Sequence, residues 1–161
     1  MLTPRDDPVV RMSEWEYLLC RQAAALRQAE NLTRGRVNTN GLAKDFVKNL
    51  EVDVVGVCAE MAVANYFDVY PRSLFSFGEA DVAGHEVKGT TYPRGSLVVQ
   101  VRHATECINR KFILVCGDGL SWTLRGWMTG SEIMRYPLEE RVPGRPAYWV
   151  PQSALLPMKD I

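Results

Sequence analysis

Residues 78–89 bring several chemically active side chains close together in the sequence. The segment reads GEADVAGHEVKG and contains Glu79, Asp81, Glu86 and Lys88. Small or apolar residues separate nearly every pair of these three carboxylates and one amine. Carboxylate oxygens are ligands that divalent cations such as Mg²⁺ use in proteins. The segment therefore predicts a site in which carboxylates and an ammonium group act together.

A tight turn in the middle of the segment would gather these charges. Charged and apolar residues alternate on both sides of Ala83 and Gly84, which is typical of two short strands joined by a two-residue turn. Because side chains alternate between the two faces of a strand, the four charged residues would share one face. The pairs in this register are Val82 with His85, Asp81 with Glu86, and Glu79 with Lys88.

The pairing of Asp81 with Glu86 leaves two interpretations open. Opposed cross-strand residues have Cβ atoms about 4.5–5.5 Å apart, and two like charges in that position destabilise the pair. A divalent cation between the carboxylates would remove this repulsion. The alternative is an ordinary half-buried hairpin with a solvated outer face and a salt bridge between Glu79 and Lys88.

A further carboxylate, Glu60, favours the metal site. The segment VDVVGVCAEMAVANYF predicts a mostly buried helix that begins near Asp53, and Glu60 is its single charge from Val54 to Phe67. A lone buried carboxylate is costly without a partner. We therefore expect Glu60 to point at the hairpin, the alternative being a position on the solvent side of the helix.

Another helix and a series of strands must support these residues. The segment SEWEYLLCRQAAALRQAENL predicts a helix with a capping box of Ser13 and Glu16. Its apolar face comprises Trp15, Leu18, Leu19, Ala23 and Leu26. The next segment, TRGRVNTNGLAKDFVKN, predicts a long loop with at most one short helix.

Short segments after Pro71 predict strands. These are SFGEADV, HEVKGT, SLVVQVRH, KFILVCGDG, SWTLRGWM and AYWVP, with a helical turn at GSEIMRY and a closing turn or helix at QSALLPM. Helices followed by strands predict an α+β, sandwich-like fold in which helices flank a central mixed sheet.

The order of the charged residues resembles the PD-(D/E)XK nuclease superfamily. Members carry a Glu on an early helix, an Asp on the next strand and a Glu-X-Lys on the following one, matching Glu60, Asp81, Glu86 and Lys88. The resemblance implies a restriction-endonuclease-like α-β-β-β-α-β core and Mg²⁺- or Mn²⁺-dependent hydrolysis of DNA phosphodiester bonds. It implies metal binding by Asp81, Glu86, the Val87 carbonyl and Glu60, and a catalytic role for Lys88. The small domain suggests a phage or mobile-element member.

Basic and hydroxyl side chains around this motif are candidates for DNA contacts. They are Thr90, Thr91, Arg94, Arg102, Arg34 and Arg36, of which the first three closely follow Lys88. Scattered surface residues are the simpler explanation for most of them. His85 and His103 are interpreted as surface residues or hydrogen-bonded filler, and Trp122 as part of the core.

Composition sets limits on the function. The 161 residues are 47% apolar and 24% charged, which is typical of one globular domain spanning residues 1–161. The formal net charge is zero, so DNA binding would depend on a local patch or on a homodimer that completes the groove. The sequence contains neither an apolar run of bilayer length nor an N-terminal secretory pattern. We therefore expect a cytoplasmic protein without a membrane partner, and four reduced cysteines.

Two other functions remain as alternatives at this stage. A noncatalytic nucleic-acid-binding or assembly protein could share the fold, although the four residue types in order argue for an enzyme. The chain could also have an unrelated fold in which the hairpin charges are only solvated.

Overall fold

The structure is a computed structural model that describes residues 5–35, 46–74 and 81–161. The helices in these ranges are α1 (Glu14–Thr33), α2 (Phe46–Phe67), α3 (Val101–Glu106) and α4 (Gly130–Ile133). The strands are β1 (Val9–Arg11), β2 (Glu86–Thr90), β3 (Leu97–Gln100), β4 (Lys111–Asp118), β5 (Ser121–Thr129), β6 (Leu138–Glu139) and β7 (Ala147–Val150). Single 3-10 turns occur at Arg72–Leu74, Gln152–Ala154 and Met158–Asp160.

The strands form two sheets. The larger has the order β1-β5-β4-β2, in which β2 and β4 run parallel and the other neighbours antiparallel. The smaller is antiparallel, with the order β3-β7-β6. Helix α2 covers one face of the larger sheet, and α1 packs on α2. The predicted α+β fold with a central mixed sheet is therefore confirmed.

Strand β4 separates two apolar cores. Its sequence KFILVCGD is a continuous apolar run, which is typical of a strand buried on both faces. Ile113 and Val115 point to the core beneath α1 and α2, whereas Phe112 and Leu114 point to a second core formed with β3, β7 and α4. The central sheet is consequently covered on both sides, and polar groups on β2 lie between two packed layers.

Helix α2 packs directly onto β2. Its residues from Val57 to Ala64 are all buried, as the apolar composition predicts. The closest approach is at Gly89, where an added Cβ would lie 2.8 Å from the Ala59 Cβ and 2.9 Å from the Val55 carbonyl oxygen. Glycine at this position lets the helix and the strand approach each other. This close contact lies near the end of β2, next to Thr90.

Helix α1 begins as predicted but presents its apolar face outward. Ser13 and Glu16 form the reciprocal capping box. The residues that α1 buries include the small side chains of Cys20, Ala23 and Ala24, which allow a close approach to α2. Of the predicted apolar face, only Ala23 is buried, whereas the aromatic and leucine members are exposed. Packing is therefore decided by side-chain size as well as by hydrophobicity.

Several other predictions need correction. Helix α2 begins at Phe46, seven residues before the predicted start near Asp53, which shortens the predicted long loop. The predicted strand SLVVQVRH ends at Gln100, where the chain turns into α3. Strands β1 and β6 have no counterpart in the prediction. The remainder of the loop and most of the strand expected from SFGEADV lie outside the described residues.

Within the described ranges, no helix has both the length and the apolar composition needed to cross a membrane. The four cysteines are free thiols, and three of them are buried.

Candidate functional site

The turn at Ala83 and Gly84 has the predicted two-residue form. Val82 and His85 exchange two backbone hydrogen bonds, of 3.1 Å and 2.8 Å. The φ angles of Ala83 and Gly84 are both positive, at 50° and 81°, which is typical of the turns that suit the twist of a hairpin. The turn reverses the chain directly before β2 and so returns Asp81 to the strand.

Asp81 binds the backbone of β2 through its side chain. Its Oδ2 accepts a hydrogen bond from the Val87 N–H at 2.7 Å. Because the N–H and C=O of one strand residue point to the same side, the Val87 carbonyl also faces this edge of β2. The described ladder ends at the bridge between Val82 and His85. Asp81 therefore contacts the edge of β2 through its side chain, and the residue before it, which would complete the predicted strand pair with Glu86, lies outside the described residues.

Glu86 is a buried carboxylate held on both oxygens. It is 4% exposed, and it lies on the face of β2 opposite α2. Its Oε2 lies 2.9 Å from the His103 Nε2, and its Oε1 accepts from the Arg110 Nη1 at 2.6 Å. Burial alone would raise the pKa of Glu86, but the hydrogen bonds from His103 and Arg110 outweigh it and lower the pKa to about 2. Glu86 is thus a carboxylate at neutral pH.

His103 joins Glu86 to Lys88. The Lys88 Nζ lies 3.1 Å from the His103 Nδ1, while Nε2 of the same ring contacts Glu86. An ammonium group has donors only, so Nδ1 must accept, and the ring proton then sits on Nε2 and is donated to Glu86. The ring packs edge-on against Phe112, with centroids 5.1 Å apart. His103 therefore holds both charged side chains of the Glu-X-Lys sequence in one arrangement.

Glu60 lies on α2, on the opposite side of β2. It is 6% exposed and forms a two-point ion pair with Arg27 of α1, with N–O distances of 3.0 Å and 2.8 Å. Glu60 is buried as predicted, and a guanidinium group faces its carboxylate.

Asp81 lies within electrostatic reach of both other carboxylates. Burial raises the pKa of Asp81 to about 6, and the charges of Glu60 and Glu86 add to the increase. The hydrogen bond from Val87 and the charge of Lys88 oppose it. Asp81 therefore lies within electrostatic range of the other three residues singled out in the sequence, although Glu60 lies on the opposite side of β2 from Glu86 and Lys88.

Strand direction explains why the cluster forms. Since β2 and β4 are parallel with Glu86 opposite Phe112, both strands start at the same end of the sheet. Arg110 immediately precedes β4 and so arrives beside Glu86. Helix α3 lies in the crossover between the strands and supplies His103 and Cys107 from one helical face.

Sequence analysis missed His103 as a site residue and missed the partners of the carboxylates. The spacing of His103 and Cys107 by four residues would have shown that they share a face, once α3 was recognised as a helix. Neither Arg110 nor Arg27 is among the site residues predicted from the sequence. No local pattern around Arg27 indicates that it contacts α2.

Three of the residues predicted to contact DNA lie at the end of β2 that is away from Glu86. Thr90 ends β2, about 13 Å along the strand from Glu86, and its hydroxyl accepts a hydrogen bond from the Tyr92 N–H. Thr91 and Arg94 follow it at that far end, and Thr91 lies in a groove with Glu51 and Asp118. The prediction that they lie at the mouth of the site is therefore corrected.

The predicted arginines differ in their surroundings. Arg102 points to solvent and pairs with Glu106 on its own helix, at 2.7 Å. Arg34 pairs with Glu30 near the end of α1. Arg36 lies outside the described residues. Arg110, by contrast, is 43% exposed while it contacts Glu86, and it is the arginine best placed to reach a phosphate near the site.

Two sets of side chains could hold a metal ion. The ligand atoms of Glu86, His103 and Cys107 lie within 4.8 Å of one another, a group of the kind that binds zinc. However, burial and the charge of Glu86 raise the pKa of the Cys107 thiol, which opposes the thiolate that a metal needs. His103 and Arg110 also donate hydrogen bonds directly to the two oxygens of Glu86, so these oxygens are already engaged where an ion would bind. We interpret this group as a hydrogen-bond network.

The oxygen set at the edge of β2 has the ligand type that a hard cation prefers, although the carboxylates of Asp81, Glu86 and Glu60 are not one of the close ligand groups found among the described residues. It consists of the Asp81 carboxylate, the Val87 carbonyl and the Glu86 carboxylate, with Glu60 nearby. Asp81 Oδ1 receives no hydrogen bond from the described residues, and the pKa of Asp81 is raised first by burial and then by the charges of Glu60 and Glu86. Mg²⁺ and Mn²⁺ prefer such oxygen ligands. No protein-family model, curated protein or solved structure matches the chain.

Proposed function

We propose that the protein is a metal-dependent nuclease of the PD-(D/E)XK type that hydrolyses phosphodiester bonds of DNA. The observation that carries this proposal is the gathering of Asp81, Glu86 and Lys88 at the start of β2, with Glu60 close enough to help raise the pKa of Asp81. Charged side chains that were only solvated would not be linked through a common residue, as Glu86 and Lys88 are through His103. The parallel arrangement of β2 and β4 is also consistent with the core that the superfamily resemblance implies.

The carboxylates of Asp81 and Glu86 and the Val87 carbonyl would hold Mg²⁺ or Mn²⁺, with Glu60 as a further candidate. When bound, the cation would supply Lewis acidity to a phosphate oxygen and to an attacking water. Glu86 already carries its negative charge at neutral pH because its pKa is about 2. A bound cation would compensate the negative charge of Asp81. Its positive charge would therefore favour the ionised form of this carboxylate.

Lys88 and Arg110 supply the positive charge that a phosphate requires. The Lys88 ammonium would stabilise the negative charge that develops on the phosphate oxygens. The Arg110 side chain is 43% exposed and so is accessible to a phosphate from solvent. Its guanidinium can exchange Glu86 for a phosphate, to which it can donate two parallel hydrogen bonds. Release of Glu86 by Arg110 would leave Oε1 available as a ligand.

The test is a cleavage assay with matched variants. Purified wild-type protein is incubated with plasmid and single-stranded DNA in Mg²⁺ or Mn²⁺, beside Asp81→Asn, Lys88→Met and an EDTA control. Both variants should lower the cleavage rate by about 100-fold or more, whereas Asp68→Asn, an exposed carboxylate change elsewhere, should not. Equal cleavage by wild type and both site variants would indicate a contaminating nuclease and refute the proposal.

The noncatalytic alternative draws support from one observation. Arg110 and His103 together occupy both oxygens of Glu86, which is the arrangement expected if the site no longer binds a cation. DNA binding by the wild type without cleavage, and without any effect of Asp81→Asn, would favour a nucleic-acid-binding protein on this fold.

A further inference from the structure

Helix α1 presents a long uncharged face to solvent. Between Trp15 and Thr33, every exposed residue of the helix is uncharged. The large members are Trp15, Leu18, Leu19, Leu26 and Leu32, and Gln22, Ala25 and Ala29 fill the positions between them. We call this face the α1 stripe. Trp15 is 81% exposed, and Leu26 and Leu32 are each more than 60% exposed.

A solvent-facing helix normally carries its charges on this side. In α1 the charged side chains lie at the borders of the stripe and pair away from it. Arg27 pairs with Glu60 and Arg21 with Glu51, both on α2, while Glu16 accepts a hydrogen bond from Asn65. The charge pattern therefore keeps the outer face of α1 apolar over about 25 Å of helix.

The stripe is complementary to itself in shape. The small side chains of Ala25 and Ala29 lie in its C-terminal half, beside Leu26 and Leu32. When two copies of α1 pack antiparallel about a two-fold axis near Gln22, Trp15 of one copy faces Ala29 of the other and Leu19 faces Ala25, while Leu18 faces Leu26. The small residues allow the 8–10 Å axis separation of packed helices.

The size of the stripe suits a dimer. Its exposed side chains offer at most roughly 800 Å² for burial on each copy, and a standard stable interface buries about 800 Å² per partner. The formal net charge of the chain is zero, so two copies do not repel each other through a shared excess of charge.

We infer that the protein forms a two-fold homodimer through antiparallel packing of the α1 stripe. A second copy supplies an apolar stripe of equal length and complementary shape. This surface is separate from the Asp81 and Glu86 cluster, so the inference stands or falls independently of nuclease activity.

The first test is molar mass in solution. Wild type at about 50 µM, analysed by size-exclusion chromatography with light scattering, should have twice the mass of one 18.2 kDa chain. Leu18→Glu and Ala25→Glu should each weaken dimerisation about 100-fold and give monomers. Leu138→Glu is the control, because it places the same charge at an exposed leucine on β6. Unchanged circular dichroism of the variants would exclude unfolding as the cause.

The second test examines the orientation. Gln22→Cys should cross-link two copies through a short bismaleimide, whereas Leu138→Cys should not cross-link above the wild-type background. A monomeric wild type, a dimer that survives both glutamate variants, or a failure of Gln22→Cys to cross-link would each overturn the inference.

Discussion

Lys88 and His103 are joined by a 3.1 Å contact between Nζ and Nδ1, and the opposite nitrogen of the same ring contacts Glu86. The two charged residues of the Glu-X-Lys sequence are thus linked through a third residue on α3. A lysine has many rotamers, and this contact restricts them on the side of β2 that carries Glu86. The position of the ammonium depends on α3 as much as on β2.

His103→Ala is predicted to lower kcat for DNA cleavage by about 10- to 100-fold, which is typical when a residue that orients a catalytic group is removed. The KM for DNA should change little, because His103 orients Lys88 and does not bind the substrate. Steady-state kinetics on one oligonucleotide would separate the two constants. His103→Gln, which keeps a donor and an acceptor, should recover part of the rate.

His85 provides the matched control for this experiment. It lies across the turn from Val82 and packs near the Phe67 ring, with centroids 5.4 Å apart. His85→Gln should leave kcat unchanged. If His103→Ala instead raises KM alone, His103 contacts the substrate and has no role in positioning Lys88.

Mg²⁺ is predicted to stabilise the wild-type protein against heat. A ligand that binds only the folded state stabilises it by about 2.7 kcal/mol at 100 times its Kd. Differential scanning fluorimetry with increasing Mg²⁺ should show a rising Tm for wild type and a much smaller rise for Asp81→Asn. Asn can still accept the hydrogen bond from Val87, so the variant should fold. An identical Tm rise in both proteins would place the cation elsewhere.

The pattern of charges allowed part of this site to be predicted. Asp81, Glu86 and Lys88 are close in sequence and joined by a two-residue turn, so their proximity follows from local geometry. Glu60 was identified because a lone carboxylate on an apolar helix needs a partner. Arg27, His103 and Arg110 were not assigned to these carboxylates, because their contacts depend on how α1 packs on α2 and on the crossover from β2 to β4.

In the fold, too, features that depend on local sequence were predicted and features that depend on packing between elements were not. Continuous apolar segments such as β4 and the buried part of α2 were predicted from hydrophobicity alone. The outward face of α1 was not, because the helix packs through its small residues and leaves its larger ones exposed. The end of β3 is also not predicted, because the side chain of Gln100, the residue before α3, makes no capping hydrogen bond that would mark the start of the helix.

Arg27→Met is predicted to destabilise the protein by about 3 kcal/mol, because it removes the guanidinium group that faces the buried Glu60 carboxylate. Glu60→Gln in the same chain should recover much of the loss, since the buried charge is then absent. Urea unfolding of the two single variants and the double variant would give the coupling energy between the residues. Additive losses would mean that the ion pair contributes nothing to stability.

Gly89→Ala is predicted to destabilise the fold by about 1–3 kcal/mol, because the added methyl group would overlap the Val55 carbonyl oxygen and Ala59. Gly56→Ala is the matched control on α2, where an added Cβ meets nothing within 4 Å. It should stabilise the protein by about 0.5–1 kcal/mol through helix propensity. The free energies of unfolding of the two variants should therefore change in opposite directions.

Ala83→Asn is predicted to stabilise the turn before β2 by about 0.5–1 kcal/mol, because Asn tolerates positive φ better than Ala does. Gly84→Ala should cost about 1 kcal/mol for the converse reason. Thermal unfolding of both variants would measure the difference. Equal Tm values would show that the turn contributes little to global stability.

The parallel register of β2 and β4 has an evolutionary consequence. Arg110 meets Glu86 because the two strands begin at the same end of the sheet, and the number of residues between them plays no part in that meeting. The exposed residues 91–94 of the turn between β2 and β3 can therefore gain or lose residues while the ion pair is kept. Homologous chains would then show variable spacing between the Glu-X-Lys sequence and the arginine that precedes the next long strand, with the chemistry of the cluster preserved.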